Sequence, residues 1–382
     1  MVVIRTSRTQ DRVKLQVSGR LDAIAAPTLA AAIAAESDMR WLTLDLGECS
    51  FVSSGGIREI LTAHKSLAPL GGGVSLANVQ PEVWRVLELP GLTRMMEDGE
   101  KLREISSEGL EYLAEGVFGE VFRVDDETVV KLYREGVDPA VVEKEKRYSR
   151  AAFIAGIPTA ISFDVITCGN RFGIAYELLD AESLATRMRR EPERLEDHAR
   201  LLATLARKIH ATEADPAIFP DMKADAAVWI DDLAPKLGTA DAALPRAKLA
   251  AIPEGTTCVH FDLHGGNVMV QGDEPVVIDM GDFSRGSPLF DLGLIATIYS
   301  PVVGICEAVT KIPNDIGARF LDHFLDHYFD GLPPDERARF ERDRPFYASL
   351  RLLHSVRLLD AQPEFRDRIW TAVTDRLIPA MR

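Results

Sequence analysis

Val259-His260-Phe261-Asp262-Leu263-His264-Gly265-Gly266-Asn267, followed by Val276-Val277-Ile278-Asp279, is the stretch on which the reading of this 382-residue chain turns. An Asp, an Asn five residues later and a second Asp ending an apolar run have the order used for ATP-dependent phosphoryl transfer. Asp262 could accept the proton of an attacking hydroxyl, and Asn267 and Asp279 could hold metal ions that screen a triphosphate. Asp279 ends a run that reads as a buried strand, where a lone carboxylate is costly unless it binds metal or hydrogen bonds. A rival assignment makes His260, Asp262 and His264 metal ligands of a hydrolase, but it gives Asn267 no role. For His260 the simpler expectation is a structural histidine bonded to nearby backbone.

The phosphotransfer reading demands a glycine-rich strand turn and a lysine strand well upstream, and both are present. Gly116-Val117-Phe118-Gly119-Glu120-Val121 lies between strand-like segments. Glycines there let backbone amides approach phosphates, and Val121 would pack on a base, although a plain hairpin turn explains the same residues. Val129-Val130-Lys131 ends an apolar strand with a Lys that could bridge phosphates. Glu145, fourteen residues on in a helix expected near Val141–Ala155, could pair with it, with Glu143 as the alternative because helix phase is open. A further β segment ends at Tyr176-Glu177-Leu178-Leu179, and the remainder reads as mostly helical.

The segment from about 108 to 345 resembles the aminoglycoside phosphotransferase, choline kinase and fructosamine kinase group of protein-kinase-like enzymes. His-Phe-Asp-Leu-His-Gly-Gly-Asn is similar to that group's catalytic loop, Ile278-Asp279-Met280-Gly281-Asp282 to its metal-binding segment, and Pro288–Gly293 to the helix start that follows. The resemblance implies a bilobal α+β kinase fold, ATP with Mg²⁺, Asp262 as catalytic base, and Asn267 and Asp279 as metal ligands. It places Glu177 and Leu179 in a hinge that binds adenine through backbone groups, and makes Asp291 a structural carboxylate. Ala114 stands where the first of three phosphate-loop glycines is usual; Phe261 and Gly265 also depart from the commonest choices.

Residues 1–100 have a different grammar. Short strands (Val2–Ile4, Val13–Val17, Trp41–Leu46, Val74–Ala77) alternate with helices (Ala25–Ala35, Ser54–Leu67 and Pro81 to about Leu89), which implies a small mixed sheet with helices on a face. Gly19-Arg20-Leu21-Asp22 and Phe51-Val52-Ser53-Ser54-Gly55-Gly56-Ile57-Arg58 resemble a STAS domain of the anti-sigma-factor antagonist type, an α/β fold. The resemblance puts Ser54 at the serine that a partner kinase phosphorylates and Ser53 where an Asp is usual. The alternative is that both serines cap the helix. A polar stretch, Glu97–Lys101, marks the expected boundary, leaving 101–382 to the kinase-like domain, with a small lobe about 106–179 and a helical lobe about 180–382.

Composition narrows the classes. A net charge of −15 argues against nonspecific binding to nucleic acid or to an anionic membrane. The four cysteines are scattered, as in a reducing cytosol, and the N-terminus carries no signal-peptide core. The apolar stretch Leu289–Val309 contains Asp291, Pro301 and Glu307 and is expected to be one buried helix rather than a membrane span. A cytoplasmic phosphotransferase acting on a small-molecule hydroxyl is the leading expectation, with the STAS module for regulation or for docking a partner such as an anti-sigma factor. The alternatives are a serine protein kinase acting on Ser54 or on a partner STAS domain, and a nucleotide-binding scaffold without turnover. Acidic segments at Glu191–Asp197 and Asp231-Asp232 could attract a cationic acceptor, or could be solvated helix faces.

Overall fold

The computed structural model describes residues 2–67, 70, 72–80, 83, 86–87, 103–116, 118–358 and 363–382. Contacts group the chain into two compact units, Met1–Ile154 with Ala160–Leu178, and Ala155–Thr159 with Leu179–Arg382. The expected boundary at Glu97–Lys101, and most of the helix expected from Pro81, lie outside the described residues.

The first unit begins with a four-stranded mixed sheet in the order β1 (Val3–Thr9), β2 (Arg12–Leu21), β3 (Trp41–Val52), β4 (Gly73–Ala77). Its β1–β2 pair is antiparallel and its other pairs are parallel. Alternation decides the buried face: Val13, Leu15 and Val17 of β2 are buried while Arg12 and Lys14 face outward. Helices α1 (Ala26–Ala34) and α2 (Ser54–Leu67) follow β2 and β3, and α2 buries Ile57, Ile60 and Leu61 at helical spacing.

A second sheet in this unit runs β5 (Arg103–Glu104), β9 (Ser162–Cys168), β10 (Arg171–Glu177), β8 (Thr128–Tyr133), β7 (Gly119–Arg123), β6 (Glu111–Glu115). Helix α3 (Pro139–Ile154) packs on β9 and β10. Buried side chains of both sheets merge into one cluster, in which Leu15, Leu42 and Ile60 join Leu132, Phe153, Phe163 and Ile166. Helices α2 and α3 are in contact, and the Arg58 guanidinium lies 4.4 Å from the centre of the Phe153 ring.

The second unit is largely helical. Helix α8 (Leu289–Tyr299) is apolar all round and buried from Phe290 to Tyr299, as a central helix must be. It packs on α11 (Pro334–Leu358) and on α10 (Asn314–Phe329), which also lies along α5 (Leu195–His210). The single helix expected across Leu289–Val309 is two. Ser300 is extended ahead of Pro301, as the residue before a proline prefers, and the next helix, α9, spans Cys306–Thr310. No helix among the described residues is long and apolar enough to cross a membrane. A hairpin of β13 (Val268–Gln271) and β14 (Glu274–Val277), with β11 (Glu182–Ser183) beside β13, frames the loop that carries Asp262 and Asn267.

Candidate active site

In the first unit, β8 is central because Val130 and Leu132 are buried, and this register sets Lys131 opposite Val121 on β7 and Ile174 on β10. The Lys131 ammonium donates to both oxygens of Glu145, at 2.8 and 3.1 Å, across the gap to α3. Tyr133 and Tyr176 hydroxyls donate to the same carboxylate. Glu145 is buried and Glu143 exposed, so helix phase decides between the two candidates in favour of Glu145.

Gly116 and Gly119 close the turn between β6 and β7, the Gly116 amide donating to the Gly119 carbonyl at 2.8 Å. Gly119 has a packing reason to be glycine: a Cβ there would lie 2.2 Å from the Leu132 carbonyl oxygen on the paired strand. In the expected hinge, the Glu177 amide donates to the Ile161 carbonyl and the Leu178 amide to Glu127, so two backbone donors are already spent. The Glu177 carboxylate accepts from the Ile161 amide at 2.8 Å, and burial raises its pKa. Leu179 is the first residue of the second unit's main segment. Ser54 opens α2 with its side chain exposed, while the Ser53 hydroxyl donates to the Leu21 carbonyl.

In the second unit the motif residues converge. The loop after β12 (Thr257–Val259) is anchored by Asp291, a fully buried carboxylate on α8. It accepts the His260 amide at 2.9 Å, the Phe261 amide at 2.6 Å and His210 Nε2 at 2.9 Å. This clamp holds Phe261 at φ 60°, a left-handed conformation that a bulky residue rarely adopts. Asp262 follows at once, and the Asn267 side-chain amide donates to its carbonyl at 3.0 Å and to its Oδ2 at 2.9 Å. The Ile278 amide donates to the Asn267 carbonyl at 2.9 Å, so Asp279, itself at φ 64°, stands next to the same turn.

His260 is occupied at both ring nitrogens. Nδ1 accepts the Asp262 amide at 3.2 Å and Nε2 donates to the Ile278 carbonyl at 3.1 Å, which is a structural role and not a ligand's. Nδ1 of His264 accepts the Gly266 amide, and burial, the largest influence, lowers the ring's pKa. Among the described residues no three His, Cys, Asp or Glu side chains are grouped to hold a metal. The Asn267 amide oxygen and the Asp279 carboxylate are a hard donor pair. That fits Mg²⁺, which takes one or two protein carboxylates and completes its shell with water and substrate phosphate oxygens.

Sequence reasoning missed Arg351, on α11. Its Nη2 donates to Asp262 Oδ1 at 2.7 Å, and its Nη1 reaches Asp282 Oδ2 at 3.4 Å and His354 Nδ1 at 3.0 Å. Burial pushes the Asp262 carboxyl up, but the Arg351 charge, then His264, His260 and the Asn267 hydrogen bond, outweigh it and hold it below the usual aspartate range. Several carboxylates of the acidic segments are paired with arginines: Glu191 with Arg190, Asp197 with Arg194 and Arg200, and Asp231 with Arg246.

Comparison with known proteins identifies the family and the fold. The profile of the phosphotransferase enzyme family matches residues 109–340, more than half of the chain, and the profile described as Mlab, STAS domain, matches residues 4–116. A candidate anti-sigma factor antagonist of Bordetella bronchiseptica, BtrV, is 34% identical over 77 residues. That match covers 20% of this chain and 66% of the relative, just short of two thirds of its length. Among solved structures, a thermostable mutant of aminoglycoside phosphotransferase APH(4)-Ia in complex with ADP and hygromycin B superposes with a TM-score of 0.52 at 15% identity, over 72% of this chain and 94% of that one. The AMP-PNP and hygromycin B complex of a mutant of the same enzyme gives 0.51 at 15% identity, with the same coverage of both chains. At these identities the likeness is one of fold. The family profile goes further: the chain belongs to the phosphotransferase enzyme family, a kinase-type enzyme with an N-terminal STAS domain.

Proposed function

We propose that the protein transfers the γ-phosphoryl group of ATP to a hydroxyl of a small molecule. The observation that carries this reading is the convergence of Asp262, Asn267 and Asp279 on one turn of the second unit. In this reading Asp262 accepts the hydroxyl proton as the acceptor oxygen bonds to the γ-phosphorus, and the bond from phosphorus to the ADP oxygen breaks. Lys131, fixed by Glu145, holds phosphate oxygens, and Gly116, Gly119 and Val121 shape the turn near them. The carbonyl of Glu177 and the backbone of Leu179 read the adenine edge. Asn267 and Asp279 hold Mg²⁺, which supplies charge neutralisation of the triphosphate when bound.

The STAS module, residues 1–100 in this division, regulates the kinase domain of residues 101–382 or docks a partner such as an anti-sigma factor. Its support is the contact between α2, which starts at Ser54, and α3, which carries Glu145. The exposed Ser54 keeps a second reading in play, in which the enzyme phosphorylates its own or a partner's STAS serine. None of the four buried cysteines is in a disulfide, in keeping with a cytoplasmic place of work.

Two experiments separate the readings. ADP release with Mg²⁺ and ATP is followed against a panel of hydroxyl compounds, and the intact chain is weighed by mass spectrometry after the same incubation, each with Asp262→Ala as control. Acceptor-stimulated ADP release that Asp262→Ala abolishes supports the small-molecule reading. An Asp262-dependent phosphate on Ser54 moves the assignment to the protein kinase. Equal ADP release by the two proteins refutes both.

A further inference from the structure

Arg351 lies 89 residues from Asp262 in sequence, outside every motif, yet its guanidinium makes the closest ion pair to that carboxylate. The two Asp262 oxygens are held from opposite partners, Oδ1 by Arg351 at 2.7 Å and Oδ2 by the Asn267 amide at 2.9 Å. The guanidinium is itself fixed. It sits 5.3 Å from the centre of the Phe261 ring, which stacks on Trp229 at 5.2 Å and 23°. Its second nitrogen is tied to His354 one turn along α11 and to Asp282. The Arg351 side chain is 16% exposed and that of Asp262 25%, so the pair is sheltered but reachable.

We propose that Arg351 is a positioning residue of the phosphotransfer site, fixing the Asp262 carboxylate in one orientation so that a set lone pair faces the attacking hydroxyl. A carboxylate has about four acceptor positions, and two tethers still leave one for the acceptor proton. Held by Asn267 alone, the group would turn about its last torsion, which is broad for an aspartate, and spend part of its time misdirected. A planar fork that bonds one carboxylate while a second nitrogen is anchored elsewhere suits this task, and a lysine's single rotating ammonium does not. This inference rests on the phosphotransfer reading of Asp262.

Hydrolysis of Mg²⁺·ATP, with water as acceptor, gives a probe that needs no identified substrate. Arg351→Met is expected to lower kcat by about tenfold or more while KM for ATP stays within about twofold, the mark of a group that acts on chemistry and not on nucleotide binding. Arg351→Lys should fall between the two. Low-millimolar guanidinium should raise kcat of Arg351→Ala and leave Asp262→Ala unchanged, a rescue that a purely structural arginine would not show. If Arg351→Met does not fold, as judged by near-ultraviolet circular dichroism, the lysine variant and the rescue decide. Wild-type kcat in Arg351→Met or Arg351→Lys, with Asp262→Ala inactive, overturns the proposal and leaves the phosphotransfer reading standing. Equal hydrolysis by wild type and Asp262→Ala removes that reading and the proposal with it.

Discussion

Replacing Asp291 by alanine tests the clamp under the loop that carries Asp262. The carboxylate is fully buried and serves three donors: the amides of His260 and Phe261, and His210 Nε2. Its loss orphans all three, at about 1–3 kcal/mol for each buried polar group left without a partner. Some relaxation, and water entering the vacated space, bring the expected total to about 4 kcal/mol, within the range for breaking a buried charged network. For a unit of this size that lowers the thermal midpoint by roughly 8–16 °C. Burial raises the Asp291 pKa, but the His210 hydrogen bond and charge, with His260, lower it further, so the net shift is downward from 3.8. A depressed folded-state pKa gives stability that is present above the unfolded value and lost as pH falls through the folded one. The gap between wild type and Asp291→Ala should therefore be full at neutral pH and shrink below about pH 4. Differential scanning fluorimetry from pH 3 to 8 reads both effects. A midpoint within about 2 °C of wild type at neutral pH would mean that the loop does not hang on this carboxylate.

Glu145→Gln removes the charge that fixes Lys131 but keeps the side chain's size; kcat/KM for ATP hydrolysis should drop by about tenfold or more, and an unchanged value would detach the pair from nucleotide handling. Gly119→Ala brings a Cβ against the Leu132 carbonyl, so β7 and β8 must part; circular dichroism melting should show a clear loss of stability, and a midpoint equal to wild type would contradict the strand register. Arg58→Ala removes the stacking on Phe153, worth about 1–2 kcal/mol when desolvated, and should raise amide exchange along α3. Exchange confined to α2 would show that the STAS contact does not reach the helix of Glu145.

What was legible in the sequence was what is local. Asp262 and Asn267 meet because they lie five positions apart on one turn, and Asp279 joins them through a four-residue strand paired with its neighbour. Lys131 was legible as a strand-end charge, but choosing Glu145 over Glu143 needed the helix phase, which only packing sets. Pro301 carried a readable signal that the apolar stretch from Leu289 would break, and the run of hydrophobic residues masked it. Arg351 was beyond reach, because nothing in a sequence distinguishes one helical arginine from another until a fold brings it to a carboxylate 89 positions away. The merging of the STAS core with the small-lobe strands was equally hidden, since an apolar face reads the same whichever partner covers it.

Charge shows most clearly why sequence and site can point different ways. The chain carries a net −15, and its helical half holds acidic clusters that invite a cationic acceptor. In the fold, Glu191, Asp197, Asp231 and Asp232 each face an arginine, and Asp262 and Asp282 share Arg351. At a distance of one Debye length, about 10 Å, such a pair presents a dipole and not a charge, so its pull on a distant cation is weak. The outer pairs are exposed and exchangeable, each worth no more than about 1 kcal/mol, so a cation could still displace one arginine on arrival. It would gain little by doing so, because the carboxylate is already partnered. Arg351 is different, since it is sheltered, anchored to Asp282 and His354 and attached to the proposed base. An acceptor is therefore better selected by hydrogen bonds and fit around Asp262 than by net charge, and a screen that begins with neutral polyols is as well founded as one that begins with amines.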